Sequence, residues 1–416
     1  MRVFKFGGAS VKDANGVKNL IAVLEQVGHA NTIIVVSAMG KTTNALELVV
    51  GCYFNDKREV QSAIQDVVDY HNTIMFALFE NTNHPVFKVT SDLIDELKNF
   101  LNTNKSPDYN FVYDQVIGFG ELLSTTIISQ YLSLIEIDNN WVDVRQVIKT
   151  DDYYRNANVN WETTQQLVSK NIDSKKLNVT QGFLGSDKNN FTTTLGREGS
   201  DYTAAILAYC LNANDVTIWK DVPGVLNADP RHFKQTQLLN SISYTEAIEL
   251  AFYGASVIHP KTLQPLQRKE IPLYVKSFLN PKAPGTVVNK TEGVIPLVPC
   301  FIVKQNQVLL SLSTLDFSYI VEDNISEIFN LLSKYKMKVS VIQNSAISFS
   351  VCFDNNYNNL EHLLLHLKAK FKVTCNTGVS LYTIRHYNEK SVIDLEAGKT
   401  VLLKQMFQET LQIVTK

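Results

Sequence analysis

The sequence predicts an α/β protein in two parts: a large unit with a central, mostly parallel sheet between helices, then a smaller α+β module. Three observations predict this. Short β-branched runs alternate with longer helical stretches through the first 290 residues, the habit of a parallel sheet. The run Asn280-Pro281-Lys282-Ala283-Pro284-Gly285-Thr286 is rich in turn formers, and the character of the chain changes after Thr291. Beyond that point the expected element order is βαββαβ, that of a ferredoxin-like fold.

Element by element, residues 3–6 form the first strand, followed by a glycine turn and a helix over 14–27, whose Val17, Leu20, Ile21 and Leu24 recur at helical spacing. A second strand over 32–36 ends in the turn Ser37-Ala38-Met39-Gly40, and 44–50 is helical. From about 61 to 134 the signal is mainly helical, with a polar break at 102–108 and its most apolar helix over 118–134, so an α-rich insertion flanks the sheet. Strands follow at 141–144, 179–183, 216–219 and 273–278, with helices at 202–211 and 245–252. These elements delimit a first domain over 1–291. The second module spans 300–388, with strands at 308–312, 338–342, 347–353 and 379–384 and helices at 326–334 and 360–371. Residues 389–416 form a tail with a helix over 402–410.

At 416 residues and 45% hydrophobic content, the chain can bury a large core. Its 39 basic and 41 acidic side chains nearly cancel, which argues against nucleic acid as a partner. Five scattered cysteines with no CxxC pair suggest neither a disulfide framework nor a metal site and fit a cytoplasmic protein. No run approaches the ~18 apolar residues of a membrane span.

Three segments could carry chemistry. In Lys5-Phe6-Gly7-Gly8-Ala9-Ser10 a strand delivers a lysine and two glycines into a tight turn, where backbone N–H groups can approach phosphate oxygens; paired glycines after a strand also make ordinary turns. Met39-Gly40-Lys41-Thr42 is no P-loop, because Val35 stands where the first glycine is required. In Gly196-Arg197-Glu198-Gly199-Ser200-Asp201 a Gly-rich turn opens an apolar helix, a place for an anion; Arg197 can grip a carboxylate, and Asp201 fits either an N-cap or a catalytic role. The segment from Trp219 through Lys220 and Asp221 to Arg231 leaves a buried strand into a charged loop, where open α/β sheets bind ligands.

Together these strings resemble the aspartokinases of the amino-acid kinase superfamily. KFGGASV resembles KFGGTSV, VVSAMGKTTN the VVSA…TN element, GREGSDYTAA the GRGGSDxTA motif and KDVPGVLNADPR the TDVPGxYTxDPR motif. GASVIHPKT and NPKAPGT are similar to the segments that close the kinase domain, and the module after residue 300 resembles an ACT domain.

The resemblance implies transfer of the ATP γ-phosphoryl group, with Mg²⁺, to the β-carboxylate of aspartate, the first step toward lysine, threonine and methionine. It makes Lys5 and Asp201 catalytic. Ser37, Thr43, Glu121, Arg197, Gly199 and Ser200 fall where the family binds the amino acid, and Phe6, Gly7, Gly8, Ser10, Lys220, Asp221, Asn227, Arg231 and Ser256 where it binds nucleotide. Taken by itself, Glu121 would pass as a solvated helix carboxylate. Lys220 replaces the usual Thr, Leu226 an aromatic and Ser256 a Lys, so Lys220 is expected to restore the cation lost at 256. The exposed sheet edges of an ACT-like module suit a homodimer. Two other readings are a glutamate, acetylglutamate or carbamate kinase of the same fold, and a catalytically silent amino-acid sensor. The ACT-like tail and the FGE segment count against the first, and the presence of Lys5 and Asp201 against the second.

Overall fold

The computed structural model describes residues 1–255, 258–316, 318–355 and 357–416. Its contacts divide the chain into two compact units, one of residues 1–225, 238–248 and 258–293, the other of 226–237, 249–257 and 294–416.

The chain opens with β1 (Arg2–Phe6), a single 3₁₀ turn and α1 (Ala14–Val27). Local chemistry sets both ends of α1: the Asp13 side chain accepts from the Gly16 N–H, and Gly28 turns the chain away at φ 77°. Its Val17, Leu20, Ile21 and Leu24 are buried. After β2 (Thr32–Val36) come α2 (Thr42–Asn55), α3 (Val60–Leu78), α4 (Pro85–Thr103), α5 (Tyr109–Ile117) and α6 (Phe119–Leu134). The expected polar break lies between α4 and α5. Next are β3 (Asn139–Val142), α7 (Trp161–Asn171), β4 (Leu177–Gln181), β5 (Leu184–Ser186), β6 (Thr192–Thr194), α8 (Gly199–Leu211) and β7 (Asp215–Lys220). The chain continues through β8 (Ser241–Ser243), α9 (Tyr244–Tyr253), α10 (Pro260–Arg268), β9 (Leu273–Ser277) and β10 (Thr286–Asn289).

The first unit's main sheet has the order β8-β10-β9-β7-β1-β2-β4-β3. All its neighbours are parallel except β9 and β10. All five residues of β2 and of β4 are buried, as a sheet covered on both faces requires. One cluster, with Phe4, Phe6, Leu20, Leu24, Ile34 and Trp219, packs α1 on the sheet, and a second ties α2 through α6 together around Leu46, Ile64, Leu97 and Leu123.

The second unit contains β11 (Val294–Ile295), β12 (Cys300–Thr314), α11 (Glu322–Lys334), β13 (Val339–Asn344), β14 (Ser348–Asp354), α12 (Leu360–Lys368) and β15 (Phe371–Arg385). From β12 to β15 the order is βαββαβ, and the sheet is antiparallel. The region expected as a tail departs from the reading. Residues 389–416 form α13 (Glu389–Glu396), β16 (Val401–Phe407) and β17 (Thr410–Thr415), which extend the sheet to β13-β14-β12-β15-β17-β16. The helix expected over 402–410 is a strand, because Leu403, Met406 and their neighbours pair with β17. Among the described residues no helix is long and apolar enough to cross a membrane.

Candidate active site

β1 has β2 on one side and β7 on the other, with Lys5 in register with Val35 and with Ile218. The chain leaves β1 for β2 on one side and leaves β7 for β8, β9 and β10 on the other, so the carboxyl ends of β1 and β7 flank a topological switch point, where open α/β sheets bind ligands. Strand alternation places Phe4 and Phe6 in the core against Trp219, at centroid distances of 5.7 and 6.2 Å, and turns Lys5 the other way.

Lys5 Nζ lies 2.6 Å from Asp201 Oδ1, and both side chains are almost buried. Asp201 is not the N-cap of α8. The position preceding α8 is Glu198, at φ 55° and with no side-chain cap, whereas Asp201 sits inside the first turn with its carboxylate on Lys5. The turn consumes much of its own anion-binding capacity, since the Gly199 amide donates to Gly196 O and those of Asp201 and Tyr202 to Glu198 O. At the other glycine turn, a Cβ on Gly8 would stand 2.5 Å from Ala38 O, so only glycine lets the β1 and β2 turns close together; Gly40 N donates to Gly8 O at 3.0 Å.

Beside Lys5 opens a cavity of about 430 Å³ whose walls include Ser37, Thr43, Glu121, Arg197, Gly199, Ser200 and Asp201. These come from the β2 turn and from the starts of α2, α6 and α8. Ser37 Oγ donates to Ser200 Oγ at 2.9 Å, and Ser124 Oγ to Ser37 O at 2.9 Å. Glu121 is 3% exposed. Its Oε1 accepts from Ala38 N at 3.3 Å, while its buried Oε2 has no partner among the described residues. Burial pushes the Glu121 carboxyl up to about 8 against the hydrogen bond from Ala38. Arg197 is exposed on the cavity wall and forms no salt bridge among the described residues. The cavity thus combines a desolvated acid that has an unpartnered oxygen with an exposed guanidinium.

The residues implied for nucleotide lie elsewhere. Phe6 is wholly buried, and Ser10 Oγ donates to Trp219 O at 3.4 Å. Both therefore support the β1 and β7 ends from behind. Lys220 ends β7 and Asp221 follows it, exposed. In the second unit, Asn227 bridges Gln237 N and Pro299 O at 2.7 and 2.8 Å, and Arg231 grips Asp229 through Nε and Nη2. Ser256 lies outside the described residues.

The family model described as the amino acid kinase family matches residues 1–277. Lysine-sensitive aspartokinase 3 of Escherichia coli is 32% identical over 349 residues, covering 82% of this chain and 76% of the relative. The chain belongs to the aspartokinases of the amino acid kinase family. Aspartokinase 1 of Arabidopsis thaliana, a chloroplastic protein, is 31% identical, over 82% of this chain and 61% of its own length, so the chain spans less than two thirds of that relative. A structure of E. coli aspartokinase III in complex with aspartate and ADP superposes with a TM-score of 0.80 at 28% identity, covering 100% of this chain and 96% of that one.

For an aspartokinase, the cavity has lining residues that motif reading did not supply: Tyr113, Arg155, Phe183 and Thr194. Arg155 holds a left-handed backbone at φ 68°, and its guanidinium carbon lies 4.2 Å from the Tyr113 ring centroid. The buried Asp114 carboxylate accepts from Arg155 N at 3.0 Å and Thr194 N at 2.8 Å with one oxygen and from Thr194 Oγ1 at 2.8 Å with the other. Burial raises its pKa to about 6 despite those bonds. No local pattern marks these residues, since a positive φ at an arginine and a carboxylate 41 positions away become connected only in the fold.

Proposed function

We propose that this chain is an aspartate kinase, transferring the γ-phosphoryl group of Mg-ATP to the β-carboxylate of L-aspartate to give 4-phospho-L-aspartate. The observation that carries the reading is the buried Glu121 with an unpartnered Oε2, in one cavity with the exposed Arg197 and the Lys5–Asp201 pair. An α-amino acid brings the complement of each: an ammonium for Glu121, an α-carboxylate for Arg197 and a side-chain carboxylate to be delivered toward Lys5.

The acceptor is already a carboxylate at neutral pH, so no base has to remove a proton, and the work is to hold two anions in line while offsetting their charge. Lys5 supplies a compact positive charge at the transferred phosphoryl group, and Asp201 fixes its ammonium at 2.6 Å. Gly7 and Gly8 leave room for phosphate oxygens beside it. Asp201 would be the carboxylate nearest a nucleotide-bound Mg²⁺, an ion that would offset phosphate charge while taking most of its ligands from water and phosphate. Ser37 and Ser200, bonded to each other, and Thr43 supply hydroxyls to orient the acceptor carboxylate. Lys220, Asp221, Asn227 and Arg231 serve the nucleotide, and the protein acts as a homodimer.

The test is incubation of the purified protein with Mg-ATP and hydroxylamine, comparing L-aspartate, L-glutamate and N-acetylglutamate for acyl-hydroxamate. Hydroxamate from aspartate at ten times or more the rate from either alternative is expected. Formation with glutamate or acetylglutamate but not aspartate reassigns the acceptor, and no product with any of them refutes kinase activity.

A further inference from the structure

We propose that Arg155 is the second half of a two-guanidinium clamp that, with Arg197, binds the carboxylate of the acceptor that is not phosphorylated, and so sets acceptor affinity and the demand for a free α-carboxylate. The inference rests on the aspartate kinase reading and deepens it. Both arginines line the same cavity, and neither forms a salt bridge among the described residues. The loops that carry them are in direct contact: a Cβ on Gly196, at φ 80°, would come within 2.7 Å of Asn156 Oδ1 and 3.2 Å of Arg155 O. Ala157 N donates to Thr194 O at 2.9 Å across the same junction.

The buried Asp114 then fastens both loops at once, taking Arg155 N on one side and Thr194 on the other. Asp114 is a positioning residue, because its carboxylate is spent on these loop groups. Arg155 pays for its place with a left-handed backbone, a conformation in which glycine would fit without strain. The guanidinium carbon lies 4.2 Å from the Tyr113 ring centroid, a cation–π contact that helps hold it at the cavity wall. At the other end of the acceptor Lys5 is paired with Asp201, and the Glu198 carboxylate on the same wall accepts from His259 N at 3.0 Å, so Arg155 and Arg197 are the cavity's cations without a salt-bridge partner among the described residues.

Steady-state kinetics of wild type, Arg155→Gly and Arg155→Lys test this, with aspartate and its α-amide, which lacks the α-carboxylate, as acceptors. Glycine relaxes the backbone, so R155G is expected to melt at or above the wild-type temperature. Its KM for aspartate should rise tenfold or more, with the ATP KM within twofold, R155K should recover part of the loss, and the preference for aspartate over the amide should shrink by a similar factor. An aspartate KM within twofold of wild type, or equal rises in both KM values, overturns the clamp while leaving the kinase reading intact. Wild-type protein without aspartate-dependent turnover refutes both.

Discussion

At the floor of the cavity beside Lys5 the ionisable groups are buried: Glu121 is 3% exposed, and Asp201 holds Lys5 at 2.6 Å. On the loop after β7, proposed to serve the nucleotide, Asp221 and Arg231 stand in solvent. Arg231 has a side chain 77% exposed and is bonded to a carboxylate two residues away, and Asp221 is exposed. The difference is one of preorganisation. On the proposed reading, buried groups meet the small zwitterion in surroundings that strengthen each interaction, whereas solvent-screened surface charges meet the larger polyanion at lower cost per contact. The departures at positions 220, 226 and 256 fall in segments that the resemblance assigns to nucleotide, and none falls on Lys5, Glu121, Arg197 or Asp201.

The largest expected effect is at the phosphoryl end. K5A removes the charge that meets the transferred group, and kcat is expected to fall about 10²–10³-fold or more with aspartate binding retained; a loss under tenfold would remove Lys5 from the chemistry. Next is E121Q, which keeps the shape and the bond from Ala38 but loses the negative charge. Its aspartate KM should rise roughly 10–100-fold, the worth of a charge-assisted hydrogen bond, with the ATP KM unchanged. The same variant separates function from stability. Because folding raises the Glu121 pKa to about 8, the protonated acid is the form the fold favours. Its contribution is complete below the ordinary carboxylate range and is lost as pH rises toward 8. E121Q should therefore melt above wild type at pH 8.5 and lose that advantage at pH 5; a melting difference independent of pH would contradict the burial account.

How far these groups were legible in the sequence follows the same divide between local and assembled structure. The bounds of α1 could be read because its Asp13 cap, its apolar spacing and Gly28 are all local. The short strands β8 and β10 could not, having only three and four residues, and the segment expected as a helix over 402–410 includes most of β16, a strand fixed by its pairing with β17. In the site, Lys5, Arg197 and Asp201 lie in strings that name themselves. Glu121 looked like a surface carboxylate, and its burial comes from α6 packing beneath the β2 turn, where Ala38 N reaches it. Arg155 carried no signal, since its role depends on a backbone conformation and on Asp114 in another helix.

The smallest effects belong to the exposed side of the comparison. K220A and R231A should each raise the ATP KM by about threefold to tenfold, as loss of a solvent-screened contact does, with aspartate KM unchanged and the rise blunted at high salt. An unchanged ATP KM in K220A removes the idea that this lysine replaces the cation missing at 256. An effect larger than that of E121Q on aspartate would reverse the contrast between a rigid acceptor site and a forgiving nucleotide site.

The most direct measurement is the proton balance of aspartate binding, by calorimetry at pH 7 in buffers of different ionisation enthalpy. An ammonium docking on Glu121 must find it ionised, so a group with a pKa of about 8 when the pocket is empty should release close to one proton per site at pH 7. That release should vanish in E121Q and fade above pH 9. Tight aspartate binding with no proton released at pH 7, or with the same release from E121Q, would contradict the assignment of Glu121 as the acceptor's ammonium ligand.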